Sequence, residues 1–536
     1  MSSIKWNPYS VVYHIYVRSF KDTNADGVGD LNGVIDRLNY LNGNTEFSLG
    51  VDAIWLSPIY NSPQADFGYD TSDYKNIDPL FGDLTTFKKL ITEAHNRGIK
   101  VMMDFVPNHT SSEHQWFKES RSSKDNPKRD YYIWKDPKAD GSPPNNWRSV
   151  FGGSAWKFDE HTKQYYLHSF DEDQIDLNWH NPAVVKEMQD ILSYWLELGV
   201  DGFRIDAIEW MVKDPSFEDE PENLAFVQGA DPYHMVLHTK TFALPELTQI
   251  IKELTRPLEN FNDKFMVIEV WSEMEDAVKW YNRIEKDWFT PFNFGLITLP
   301  WTPEVHRDFI DKYDKKVGSL YVPTYVTGNH DRPRLVSRIG LAQSRIAAML
   351  ILSLRGMAYI YNGDEIGMSN TEIPPDKIQD PFEIKTPGLG LGRDPARTPM
   401  QWTDDSMAGF TTAEESWLPI NPNYKQVNTR KENKDPHSLL SLYKKLLRLR
   451  KSHKAFQFGS QQILTLNNDQ ILAFLRIFHD SMILVLLNYS HQKQSIKTPF
   501  SKGKILVDTK LEKIDKSVLL TTISLAANEG LVIELT

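Results

Sequence analysis

Short apolar runs recur along most of the chain, and the stretches between them carry helical spacing. Val11-Val12-Tyr13-His14-Ile15-Tyr16-Val17 predicts a first strand and Val51-Asp52-Ala53-Ile54-Trp55-Leu56 a second, with Leu31, Val34, Ile35, Leu38 and Leu41 on one helical face between them. Leu84 to Arg97 predicts a helix that Gly98 ends, and Ile99 to Asp104 a third strand. Helices over Val184 to Leu198 and Leu247 to Leu254 precede strands ending at Asp206 and Glu269, and Met274 to Trp280 opens another helix. Phe292-Asn293-Phe294 and Thr324-Tyr325-Val326 predict a sixth and a seventh strand. Gly356-Met357-Ala358-Tyr359-Ile360-Tyr361 predicts an eighth, after a helix from Ala342 to Leu354. The alternation is that of parallel α/β structure; eight strands can close a barrel, and an open doubly wound sheet shares the periodicity.

Two polar stretches interrupt the rhythm. Residues 105–176 are too long for a structureless loop, so they predict a small domain inserted after strand 3, where insertions overlie a barrel's active face. A second Gly/Pro-rich excursion spans about 369–434, ahead of an amphipathic helix from Ser438 to Leu449. From Gln462 onward alternating β-like runs predict a C-terminal antiparallel β-domain over 461–536, leaving 1–104 and 177–460 as the main α/β unit.

The acidic residues fall where strands stop: Asp104, Asp206, Glu269, and Asp331 in Gly328-Asn329-His330-Asp331. One such Asp is as well explained by a helix cap or a turn, but four at recurring intervals predict a convergent active site. Residues two apart on a strand share a face, so Arg204 points with Asp206 into the mouth and is expected to keep it ionised. Glu269, flanked by Ile268, Val270 and Trp271, is expected to retain a proton. A purely structural salt bridge from Arg204 is the plainer alternative.

Asp22-Thr23-Asn24-Ala25-Asp26-Gly27-Val28-Gly29-Asp30 places oxygen ligands at alternate positions around a Gly, like the opening of an EF-hand loop without its distal Glu. Structural Ca2+ is expected there, with Mg2+ able to take the same site; a metal-free Asx-turn loop is the alternative.

The 536 residues carry a net charge of −12, which argues against polyanionic partners such as nucleic acid or an anionic membrane. The absence of cysteine excludes disulfides, thiolate catalysis and Cys-ligated metals. The N-terminus lacks the apolar stretch of a leader and no run reaches the ~20 residues of a span, so a cytoplasmic location is expected. Fifteen Trp, 22 Tyr and 27 Phe are a heavy aromatic load, suited to stacking on sugars.

Ordered motifs carry a resemblance over essentially the whole chain: Asp104-Phe105-Val106-Pro107-Asn108-His109, Gly202-Phe203-Arg204-Ile205-Asp206, Val267-Ile268-Glu269-Val270 and Gly328-Asn329-His330-Asp331. The chain resembles the α-amylase-type glycoside hydrolases. Asn146-Trp147, Phe151-Gly152-Gly153 and Arg393 to Trp402 resemble their oligo-1,6-glucosidase, maltase and dextran glucosidase branch. The resemblance implies a (β/α)8 TIM barrel with a small inserted domain after strand 3 and a C-terminal antiparallel β-sandwich. It implies a retaining, exo-acting α-glucosidase acting on maltose-like short α-glucosides, with transglucosylation and no organic cofactor. Asp206 would be the nucleophile, Glu269 the acid/base and Asp331 the transition-state stabiliser. Tyr69, Asp70, His109, Arg204, His330 and Arg397 would bind the glucose, Asp70 opposite Arg397, with Phe151 and Phe170 lining the pocket. Asp22, Asn24, Asp26, the Val28 carbonyl and Asp30 would hold the calcium. Ala207, after the nucleophile, is smaller than the Val of enzymes favouring α-1,6 bonds and leans towards α-1,4 substrates. The alternatives are an oligo-1,6-glucosidase, a sucrose or maltose isomerase, or a noncatalytic carbohydrate-binding or transporter-associated protein. Arg332-Pro333-Arg334-Leu335-Val336-Ser337-Arg338 lacks the acidic alternation of the isomerases. The expected partner is a small α-glucoside, for a monomer or homodimer without nucleic acid or membrane.

Overall fold

In the computed structural model, which describes residues 6–43 and 45–536, eight parallel strands form one sheet. Met1 to Lys5, part of the N-terminal stretch without a leader pattern, lie outside the described residues. The strands are β1 (Val11–Ile15), β2 (Ala53–Leu56), β3 (Lys100–Phe105), β4 (Gly202–Ile205), β5 (Phe265–Ile268), β6 (Phe289–Pro291), β7 (Thr324–Val326) and β8 (Met357–Tyr361). Their order is β6-β5-β4-β3-β2-β1-β8-β7, so the sequence closes round through β8 and β1, and the one seam lies between β6 and β7. Thr324 Oγ1 spans it with a 2.7 Å hydrogen bond to the Pro291 carbonyl. This is the nearly closed (β/α)8 barrel, not the open sheet. Every residue of these strands is buried, as parallel strands covered on both faces must be.

Around the sheet lie α1 (Leu31–Asn42), α2 (Leu84–Asn96), α3 (Pro182–Glu197), α4 (Leu247–Leu254), α5 (Lys279–Ile284), α6 (Pro303–Val317), α7 (Leu335–Ser353) and α8 (Leu439–Ser452). Local chemistry starts them: Asp30, Asp83, Asn181, Thr302 and Ser438 each accept a backbone N–H from the first turn of α1, α2, α3, α6 and α8. By length and composition α7 is the one described helix apolar enough to cross a membrane. It carries Arg345, whose Nε donates to the Thr509 carbonyl, and packs between the barrel and the C-terminal sheet.

The sixth strand lies at Phe289–Pro291, ahead of the expected Phe292–Phe294, which instead leave the sheet towards the cavity described below. After β3 the chain makes an antiparallel neck, His109–Ser111 against Gln174–Asp176, and a three-stranded sheet of Trp134–Lys135, Gln164–Leu167 and Trp156–Asp159. Beyond α8, a six-stranded antiparallel sheet is faced by the two-stranded ribbon Gln494–Ile496 with Ile523–Leu525 over a shared apolar core.

Candidate active site

Arg204 occupies the centre of the strand ends. The β3–β4 register sets it opposite Asp104, and Asp206 follows two residues later. Its Nη1 lies 2.7 Å from Asp104 Oδ1 and 2.6 Å from Asp206 Oδ1, and its Nη2 lies 2.8 Å from Glu269 Oε1. One cation thus faces three buried carboxylates. Burial pushes the Asp104 carboxyl up to about 6 against the pull of Arg204. Burial also drives Asp206 well above the ordinary range; Arg204 opposes this, and Glu269 and Asp104 reinforce it. A single guanidinium beside three carboxylates does not offset burial, so Asp104 and Asp206 bind a proton more readily than free carboxyls do.

Two expectations are corrected here. Arg204 does not hold Asp206 in the ordinary ionised range, because burial outweighs its pull and the neighbouring Glu269 and Asp104 reinforce the rise. Nor is the surrounding of Glu269 apolar: the Ala207 N–H donates to its Oε2 at 3.0 Å and Trp271 Nε1 to its Oε1 at 3.0 Å. Both oxygens of Glu269 therefore face N–H donors.

Ala207 adopts φ 47°, ψ 34°, a left-handed conformation uncommon for a residue with a Cβ. That turn aims its N–H at Glu269. Two residues on, buried Glu209 accepts the backbone N–H of Trp271 at 2.6 Å and of Ser272 at 3.1 Å, fixing the segment after β5.

His330 and Asp331 follow β7. His330 Nε2 lies 2.8 Å from Tyr69 Oη, and the two rings stack. Tyr69 Oη also donates to Asp104 Oδ2 at 3.1 Å, as does Trp55 Nε1 at 3.2 Å. Burial would raise Asp331, but the Arg397 and Arg393 guanidinium groups beside it hold its carboxyl below the usual range. Arg397 Nη2 is 3.0 Å from Asp331 Oδ1 and its Nε donates to the His330 carbonyl at 2.9 Å. His109 Nε2 lies 3.0 Å from the Tyr69 carbonyl, and burial brings its imidazole down to about 4.

These groups line a cavity of about 940 Å³ with Asp206, Ala207, Glu269, Asp331, Tyr69 and His109 on its wall, and Phe151 and Phe170 beside them. Arg204 and Arg397 are buried behind that wall.

Asp70 does not face the cavity. Its oxygens accept from Ser62 Oγ at 2.8 Å and from the backbone N–H of Asp66 and Ala65 at 3.0 and 2.8 Å, closing a turn. The pocket acid is Asp66, which lies 2.6 Å from Arg393 Nη2; that nitrogen also lies 2.6 Å from Asp380 Oδ1. Arg393, not Arg397, stands opposite the acid; Asp66 and Arg393 wall the cavity beyond Asp331, with Asp380 buried behind Arg393. Sequence reasoning missed Asp66, Arg393, Asp380 and the Trp271 side chain; Arg393 heads the motif ending at Trp402, and Asp66 stands just before Gly68-Tyr69.

The loop of Asp22 to Asp30 lies apart from this site. Asp22 accepts the N–H of Asn24, Ala25 and Gly27, and Asp30 accepts from Thr23 and Gly33. Asn24 and Asp26 are exposed. Three carboxylates, an amide and a carbonyl are all hard oxygen donors, chemistry that fits Ca2+. Among the described residues no three His, Cys, Asp or Glu side chains are gathered as a metal centre.

Comparison with known proteins agrees with this geometry. Residues 14–459 match the family model "Alpha amylase, catalytic domain". The chain is 38% identical over 531 residues to an oligo-1,6-glucosidase of Parageobacillus thermoglucosidasius, covering 92% of each chain. It is 39% identical over 504 residues to an alpha-glucosidase of Apis mellifera, covering 91% of this chain and 86% of that one. A crystal structure of the alpha-glucosyl transfer enzyme XgtA superposes with a TM-score of 0.91 at 35% identity, over 99% of this chain and 100% of the other. With its barrel, its strand-end carboxylates and a match over most of its length, the chain belongs to the alpha-amylase catalytic-domain family.

Proposed function

We propose that the protein is a retaining, exo-acting α-glucosidase that releases glucose from the non-reducing end of short α-glucosides and also transfers it. The observation that carries this reading is Arg204 binding Asp206 and Glu269 on its two terminal nitrogens. Two carboxylates tied to one guanidinium suit the roughly 5–5.5 Å separation of double displacement rather than the roughly 6.5–9.5 Å that admits a water between them. Glu269 gives a proton to the leaving oxygen while Asp206 attacks the anomeric carbon. The glucosyl ester is then opened by water that Glu269 deprotonates, so the α-configuration is kept. Asp331 and His330 hold the sugar, Tyr69 stacks against it, and the Asp66-Arg393 wall admits a chain end only.

The small Ala207 favours α-1,4 linkages such as maltose over isomaltose. Arg334 and Arg338 donate to the carbonyls of Asn362 and Ile297, leaving Arg332 as the arginine of that stretch on the cavity; the lack of acidic alternation in the stretch favours hydrolysis over isomerisation.

Glucose release from maltose, isomaltose and sucrose, with the product anomer followed by NMR, tests the reading. α-Glucose is expected first, and Asp206→Ala should lower turnover on the order of 10⁴-fold or more. β-Glucose as first product, or full activity in the variant, overturns it. We assign to the Asp22–Asp30 loop a structural Ca2+ held by Asp22, Asn24, Asp26, the Val28 carbonyl and Asp30. Ca2+ at a hundredfold excess over Kd should add about 2.7 kcal/mol of stability relative to chelated protein, read as a rise in Tm; an unmoved Tm refutes the site.

A further inference from the structure

The turn after β4 and the segment after β5 hold each other through carboxylates. The Ala207 N–H of the turn reaches Glu269 Oε2 at 3.0 Å, and the Trp271 and Ser272 N–H groups of the segment donate to Glu209 Oε2 of the turn at 2.6 and 3.1 Å. The Ser272 hydroxyl donates to the other oxygen of Glu209. Glu209 is 1% exposed and stands behind the cavity wall rather than on it. Its three partners are all neutral, and burial pushes its carboxyl up to about 7 against them. A carboxyl is costly to keep in such a place, and what this one holds is the pair of residues two and three positions beyond the acid/base. Trp271 links that pair to the chemistry, because its Nε1–H donates to Glu269 Oε1 at 3.0 Å. Each oxygen of Glu269 is thus placed by a group that the β4 turn carries or fixes.

We infer that Glu209 is a positioning residue for the acid/base, acting through Trp271 to hold the Glu269 carboxyl where the leaving oxygen departs. The inference rests on the double-displacement reading above and deepens it. A general acid contributes roughly 10²–10⁴-fold to such a reaction, and a misplacement of about 1 Å costs about a hundredfold. Glu209 touches neither the sugar nor the reacting atoms, so its removal is felt in the step that needs the proton of Glu269. In that step the glycosidic C–O bond breaks, the proton passes from Glu269 to the leaving oxygen, and the Asp206 carboxylate forms the ester bond. With fluoride as leaving group the C–F bond breaks and fluoride departs as the anion, so Asp206 is needed and the proton is not.

Two substrates separate positioning from plain support of the fold. kcat/KM, which reports formation of the glucosyl ester, is measured with maltose, or whichever α-glucoside the protein cleaves, and with α-glucosyl fluoride. Glu209→Ala should lower it about a hundredfold on the glucoside and leave the fluoride value within about threefold, which also shows that the variant is folded. Glu209→Asp, one methylene shorter, makes the same comparison if the alanine variant does not fold. Glu209→Gln keeps an oxygen for the two N–H groups and should restore the glucoside value to within about fivefold. Trp271→Phe, which removes the indole N–H, should cost about tenfold on the glucoside alone and within about twofold more when added to Glu209→Ala, because both act through one contact. An unchanged glucoside value in the Glu209 variants, equal losses on the two substrates, or losses from the Glu209 and Trp271 changes that multiply would overturn the inference. Release of glucose from neither substrate by the parent protein would instead defeat the reading on which it rests.

Discussion

Asp66 and Asp70 lie four residues apart, yet their replacements should behave in opposite ways. Asp66→Asn weakens the grip on Arg393 at the cavity wall, so kcat/KM for the preferred disaccharide should fall about a hundredfold, a loss of about 3 kcal/mol in transition-state binding. Asp70→Asn loses turn hydrogen bonds: the melting midpoint should drop, by about 1–2 kcal/mol in stability, with kcat/KM held within a few fold. If the Asp70 variant were the one to lose activity, the assignment of the pocket acid would be reversed. The sequence could not separate the two, because strand parity, which put Arg204 and Asp206 together, fails in a turn. Gln64, Phe67 and Gly68 all take positive φ there, so facing cannot be counted along the chain. The carboxylate cluster was legible only as a set of strand ends. Its arrangement, three carboxylates on one arginine, depends on the register of β3 with β4 and β5 and on the turn at Ala207.

At the scale of elements the alternation of strands and helices was plain, because parallel strands covered on both faces are written as nearly unbroken apolar runs. β6 was the exception: Trp288-Phe289 and Phe292-Asn293-Phe294 are both aromatic, and a proline stands between them. Pro291 belongs to the strand because β6 borders the seam, where one edge asks for no ladder N–H. The residues first read as strand are thereby released to line the cavity. The helix starts were more predictable, being local. Asp30 caps α1 through the Gly33 N–H at 2.8 Å and also accepts the Thr23 N–H at 2.7 Å. Asp30→Ala should cost about 1–2 kcal/mol, measured by chemical unfolding of both proteins in chelator so that only the cap is lost. A loss below a few tenths would show that the first turn is held by packing alone. At Gly33 a Cβ would lie 1.9 Å from the Lys21 carbonyl oxygen, so the same turn presses directly on the Asp22 loop.

Across the whole molecule, buried arginines and one histidine join the barrel to the C-terminal sheet. Arg476 reaches from that sheet to the carbonyls of Ser353, Phe456 and Gly459. On α6, His306 Nδ1 lies 3.0 Å from Tyr489 Oη, and its ring meets Trp301 edge-on. Burial, with Arg338 nearby, lowers its imidazole to about 4. The unfolded imidazole titrates near 6.5, so the unfolded chain binds the proton first, and stability is lost as pH falls from about 6.5 towards 4. The full shift is worth on the order of 3 kcal/mol. Glu209 and Asp364, pushed up to about 7 by burial, slope the other way, so the comparison that isolates His306 is parent against His306→Gln. The variant should start less stable at pH 7 and lose less on acidification; parallel pH curves would remove His306 from the acid response.

The wall of Asp66 and Arg393 has a kinetic consequence. A chamber closed behind the glucose imposes an order of departure: the aglycone, nearer the mouth, leaves first, and the sugar that entered first leaves last. Free glucose then competes with incoming substrate for the empty enzyme, so accumulating product should raise KM and leave kcat unchanged.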